Sequence, residues 1–170
     1  MQFKTVGKSY DNPSTPCKCK KSAFYILITN YLTIESRLKC GSCNNSVPLY
    51  RLPIYEDHGY LPILSWETNY IACDSLQMNC EVGERWAINQ MQDIESQLSK
   101  QGLRICQKIE ELTNIPTYYF LYNYRKVKNN DPLMPCPKCK SKWDVKNRIH
   151  GFYDFKYDNC RIISIKSLRT

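Results

Sequence analysis

The chain has 170 residues, with 24 Lys plus Arg against 16 Asp plus Glu for a net charge of +8, 10 Cys and only 2 His. That length supports one modest core, or two small ones held together by something other than apolar burial. Cysteine, at about 6%, is well above ordinary usage yet short of the roughly 8–10% that marks a small disulfide-scaffolded secreted chain.

The first residues, MQFKTVGKSYDN, carry no apolar run, and the longest aliphatic and aromatic stretch is residues 24–28. Neither a signal peptide nor a membrane span is expected, and the chain is assigned to the cytoplasm. In a reducing compartment, close cysteine pairs are more often thiolate metal ligands than disulfides. Charge is segregated: residues 1–60 carry +4, residues 61–115 carry −4 and residues 116–170 carry +8. The C-terminal share is the first place to look for an acidic partner.

In chain order, residues 23–29 are β-branched and aromatic and are read as a strand between two cysteine pairs. Residues 47–64 contain Pro48, Pro53 and Pro62 and are read as an extended connection with short strands. From Glu84, Ile88, Met91, Ile94 and Leu98 recur at spacings of three and four, predicting an amphipathic helix. Gly102 is read as its interruption, after which Leu103, Cys106, Ile109 and Leu112 predict a second helical stretch that stops before Pro116. Residues 117–124 are aromatic enough to be a strand, with Tyr118, Phe120, Tyr122 and Tyr124 on one face and Tyr119, Leu121, Asn123 and Arg125 on the other. Residues 129–132 form a turn or linker into a C-terminal module. The fold class expected is α+β: a small mixed fold with zinc-ribbon-like cysteine modules in residues 1–60 and 116–170 and a helical middle, 61–115.

Structural zinc takes four ligands in a tetrahedron, commonly two from each of two short loops. Cys17-x-Cys19 and Cys40-Gly-Ser-Cys43 supply such a set, and Gly41 is expected to let the backbone turn tightly enough for both sulfurs to face one ion. The alternative is a group of buried or reactive free thiols. At the other end, Cys136-Pro-Lys-Cys139 is followed only by Cys160. Position 157, where a ribbon would place its fourth cysteine, is Tyr, which leaves the fourth position to His150, Asp158 or water, or leaves a ribbon without metal. Cys73, Cys80 and Cys106 are expected to pack in the core.

The blocks Leu38-Lys-Cys-Gly-Ser-Cys43, Pro48-Leu-Tyr-Arg-Leu-Pro53, Gly83-Glu-Arg85, Pro116-Thr-Tyr-Tyr-Phe-Leu-Tyr122 and Cys136-Pro-Lys-Cys139 with Trp143, together with the long run from Trp66 to Cys80 and the run from Asp154 to Arg161, resemble a bacterial zinc-ribbon-containing family. Its uncharacterised members are labelled as candidates for nucleic-acid binding. The resemblance implies a C-terminal ribbon built on Cys136, Cys139 and Cys160, with a cysteine in the family pattern where this chain has Tyr157. Members of that family occur beside genes for polymorphic toxins of the Rhs type, which implies that some serve as immunity proteins.

Two functions follow as expectations. The first is an immunity protein that occludes a cognate toxin domain by protein contact, for which 13 Tyr and 3 Trp offer anchors. The second is nucleic-acid binding, with Arg125, Lys126, Lys128, Lys138, Lys140, Lys142, Lys146 and Arg148 on phosphates and Tyr119, Trp143 or Phe152 stacking on bases. No phosphate loop, His-Glu-x-x-His or Gly-x-Ser-x-Gly motif is present, and Asp57-His58 lies in a proline-rich loop, so no enzymatic activity, small-molecule substrate or membrane contact is expected.

Overall fold

A computed structural model describes residues 15–30, 32, 36–54, 59–79, 81–124 and 135–166. In chain order the elements are β1 (Tyr25–Leu27), β2 (Leu38–Cys40), α1 (Leu61–Asn79), α2 (Glu84–Gln92), α3 (Gln97–Thr113), β3 (Thr117–Phe120), β4 (Asp144–Ile149), β5 (Tyr153–Tyr157) and β6 (Ile162–Ser164). The six strands form one sheet in the order β2-β1-β3-β6-β5-β4. The central pairs β1·β3 and β3·β6 are parallel, while the outer pairs are antiparallel. The α+β class is therefore as expected, and β3 sits between strands drawn from both ends of the chain.

Alternation along β3 organises the core. Tyr119 and Leu121 join Trp66, Tyr70, Ile105, Ile109 and Ile162 beneath the helices. Tyr118 and Phe120 join Ile26, Tyr153, Ile163 and Ile165 in a second cluster, which the two-residue period puts on the opposite face. The two faces expected for this segment are thus present, with the strand ending at Phe120. Of the strand expected over 23–29, the central three residues pair.

Three expectations about local structure are corrected. Among the described residues, 47–64 contain no paired strand: a 3-10 turn occupies Leu49–Arg51 and α1 begins at Leu61. Pro62 is tolerated there because a first-turn N–H has no intrahelical partner to lose. Gly102 does not interrupt a helix, since α3 runs through it. A side-chain methyl at this position would lie 2.2 Å from Cε2 of Tyr119 and 3.0 Å from Nε1 of Trp66, so glycine is what allows α3 to seat against β3 and α1. The break falls at residues 93–96 instead, where the Asp93 carboxylate accepts the Glu95 N–H at 3.0 Å and the Ser96 hydroxyl caps α3 by accepting the Ser99 N–H at 3.0 Å. The 129–132 linker lies outside the described residues, and no helix among the described residues is long and apolar enough to cross a membrane.

Candidate metal centres

The first cysteine set is assembled by a long-range pairing. The segment before β1 runs beside the loop after β2, with Pro16 bridged to Ser46 and the Cys17 N–H donating to the Ser46 carbonyl at 2.8 Å. Cys40 ends β2, and the chain then turns so that the Asn44 N–H returns to the Cys40 carbonyl at 2.7 Å while the Cys40 N–H donates to the Asn45 carbonyl at 2.9 Å. The four sulfurs of Cys17, Cys19, Cys40 and Cys43 all lie within 4.8 Å of one another. A zinc–sulfur bond of about 2.3 Å puts tetrahedral sulfurs about 3.8 Å apart, so the donor set fits the ion.

Gly41 serves this turn differently from expectation. The left-handed residue is Asn44, at φ 60°, whereas a methyl at Gly41 would lie 2.4 Å from the Phe24 ring. Glycine is therefore required by that packing. Arg51, missed in the sequence reading, holds the other half of the site. Its guanidinium donates to the Cys17 carbonyl at 2.5 Å and the Cys19 carbonyl at 2.7 Å, fixing the Cys17-x-Cys19 segment. The only sequence signal was its place in the block Pro48-Leu-Tyr-Arg-Leu-Pro53.

Electrostatics within the set are uneven. Burial acts to raise the Cys40 thiol, but the Ser22 hydroxyl, 3.1 Å from its sulfur, the N–H groups of Ser42 and Cys43 and the neighbouring Cys17 thiol bring it down to about 6. Hydrogen bonding to Cys43 and Cys17, with burial, pushes Cys19 up to about 12. Clustered thiols cannot all ionise without a cation among them. A divalent ion removes that conflict.

The C-terminal turn repeats the first in backbone terms. The Lys140 N–H donates to the Cys136 carbonyl at 2.8 Å, the Cys136 N–H donates to the Ser141 carbonyl at 2.8 Å, and Lys140 takes the left-handed position at φ 63°. Cys160 arrives from the turn joining β5 to β6, and the sulfurs of Cys136, Cys139 and Cys160 also lie within 4.8 Å of one another. The Ser141 hydroxyl and N–H lower the exposed Cys139 thiol to about 6. Both clusters are thus compatible with zinc, the first with four thiols and the second with three.

Neither non-cysteine candidate completes the second set. His150 lies in the β4–β5 turn, at φ 53°, and places its Nε2 at 2.8 Å from the Gly41 carbonyl, in the first cysteine turn. Asp158 accepts the Tyr118 hydroxyl at 2.7 Å and pairs with Lys156. The residues proposed to meet a partner are also redistributed. Trp143 is buried and stacked on Phe155 at 4.8 Å, and Tyr119 is fully buried, so neither is free to stack on a base. Phe152 remains partly exposed. Lys138, Lys140, Lys142, Lys146 and Arg148 are exposed, with Lys142 near Asp144 at 3.7 Å and Arg148 paired to Asp154 at 2.6 Å. Arg125, Lys126, Lys128, Asp57, His58 and Cys80 lie outside the described residues, while Cys73 and Cys106 are buried in the core beneath the helices.

The family described as a domain of unknown function, DUF2310, matches residues 19–122, and a second domain of unknown function, DUF8594, matches residues 125–170. Two uncharacterized proteins of Haemophilus influenzae are each 33% identical to this chain over 163 residues, 95% of its length. The match takes in 80% of the length of one and 62% of the other. No solved structure matches.

Proposed function

We propose that this chain, which belongs to the DUF2310 family, is a non-catalytic binding protein whose zinc is structural, and that its partner is a protein: a toxin domain of the polymorphic, Rhs type, which it occludes as an immunity protein. The observation that carries a protein partner is the distribution of apolar side chains. Tyr119 and Trp143 are buried, whereas Met78, Val82 and Trp86, at the junction of α1 and α2, and Tyr50 and Ile54, after β2, are more than half exposed. Large apolar and aromatic side chains left in solvent beside charged ones match the composition of interface anchors. The toxin as partner comes from the sequence resemblance alone. Both metal clusters then act at a distance, by fixing the ends of the sheet on which the helices lie.

Co-expression with a toxin domain encoded beside this chain tests the reading. The expected result is rescue of growth together with co-purification, weakened by Trp86→Ala; absence of both rescue and co-purification overturns it. A second reading, nucleic-acid binding, is favoured by the exposed Lys138, Lys140 and Lys146. Phosphate contacts make affinity fall steeply with salt, so retention on RNA or DNA that disappears as salt rises supports it, and no retention at low salt rejects it.

A further inference from the structure

The two cysteine turns have the same backbone hydrogen-bond pattern, yet among the described residues one set converges four thiols and the other three. The residues that sequence proximity offered as a fourth ligand are held elsewhere, His150 against Gly41 and Asp158 against Tyr118 and Lys156. Beside the three-thiol set lies a cleft of about 900 Å³, between α3 and the turn at 158–161, lined by Cys160, the cations Arg104, Lys138 and Arg161 and the carboxylates Glu110, Glu111 and Asp158. Arg161 is engaged by Glu110, at 2.6 and 2.7 Å. Arg104 and Lys138 are exposed and make no ion pair among the described residues.

Resting on the zinc reading of both clusters, we infer that the C-terminal cluster is an open site: zinc held by Cys136, Cys139 and Cys160 and completed by an exogenous small anionic thiol that enters from this cleft. Three thiolates around a divalent ion leave one position of the tetrahedron for water or another ligand. Thiolate is the soft donor that such an ion accepts; with Glu110 held by Arg161 and Asp158 by Lys156, Arg104 and Lys138 outweigh the remaining carboxylate of the cleft, Glu111, and favour an anionic carrier. In the exchange the bond from the ion to water breaks, a bond to the incoming sulfur forms, and the thiol proton passes to solvent. Four thiolates in the first cluster leave no such position, so the two ends of one chain differ in reactivity.

Cobalt(II) reconstitution of the full chain tests this, because thiolate-bound cobalt absorbs in the visible and reports its own ligands. Two cobalt ions per chain are expected. Titration with 2-mercaptoethanesulfonate should change the absorption of one equivalent saturably and leave the other untouched, at a concentration about tenfold lower than for uncharged 2-mercaptoethanol in low salt. Cys139→Ser should remove the responsive component, and Lys138→Ala with Arg104→Ala should erase the preference for the anion. Tyr157→Cys, which restores a fourth thiol, should retain two cobalt ions and lose the response, whereas Tyr157→Phe should keep it. Two ions without any response, or loss of the response in Tyr157→Phe, overturns the open position. One ion per chain overturns the second site altogether. Co-purification with a partner is read separately, so the failure of one proposal leaves the other standing.

Discussion

Replacing Gly102 with Ala sets two effects of opposite sign against each other. In an exposed helix the change adds about 1 kcal/mol of stability, because glycine has more backbone freedom to lose on folding. Here the new methyl would lie 2.2 and 2.5 Å from two ring carbons of Tyr119 and 3.0 Å from Nε1 of Trp66. Both rings are fully buried and meet edge to face at 6.1 Å between centroids, so neither can swing aside. Overpacking a filled core costs about 1–3 kcal/mol, and the size of this overlap points to the upper end. The net expectation is a loss of about 2 kcal/mol, or about 4–8 °C in melting temperature for a chain of this size. Urea or thermal unfolding of metal-loaded wild type and Gly102→Ala measures it, and the penalty should shrink in a Tyr119→Leu background, where the ring is gone. A Gly102→Ala protein as stable as wild type, or more stable, would refute the close helix–sheet contact.

Cys40→Ser or Cys43→Ser should unfold the N-terminal part and lower the zinc content, and an unchanged melting curve for either variant counts against that site. Arg51→Ala removes two hydrogen bonds from a partly exposed cation to the Cys17 and Cys19 carbonyls. A loss of about 1 kcal/mol there should speed zinc transfer to a chelator about fivefold, and an unchanged rate would dismiss the clamp. Hydrogen bonding from Arg161 holds the Glu110 carboxyl below its ordinary range, against the opposing effect of burial. Its contribution is therefore full above the unfolded value of about 4.3 and is lost as pH falls through the lower folded value. The stability gap between wild type and Glu110→Gln should accordingly narrow in acid, and a gap independent of pH across that range would contradict the pairing.

What the sequence exposed was set by local spacing. The cysteine pairs, the alternation about Tyr119 and the apolar stripe carrying Cys106 and Ile109 are all readable from near neighbours, and each is where expected. The start of α1 was hidden because its buried stripe, Ile63, Trp66, Glu67, Tyr70, Cys73, Asp74 and Gln77, has helical spacing but includes three polar residues. Glu67 is buried against Arg37 and Asp74 accepts from Gln77 at 2.9 Å, so buried polar side chains paired inside the fold mask a pattern sought in hydrophobicity. Helix propensity alone makes Gly102 a break, whereas the reason for glycine lies across the interface on β3. His150, one of the options for a fourth ligand, is kept from the second cluster by topology. It lies between Cys139 and Cys160 in sequence, yet β5 separates its turn from theirs by roughly 15 Å of extended chain, and it meets Gly41 at the other cysteine turn. Trp143 looked like an anchor beside a basic cysteine pair, and only the pairing of β4 with β5 shows it stacked inside.

Metal held by the two thiol clusters is proposed to stabilise both ends of the sheet. Elemental analysis of the full chain, purified without chelator, tests it most directly when paired with a melting curve before and after metal removal. Two zinc ions per chain are expected, falling to one in Cys40→Ser, with a lower or lost cooperative transition once the metal is stripped. A zinc-free chain that still melts cooperatively, unchanged by chelator, would contradict it.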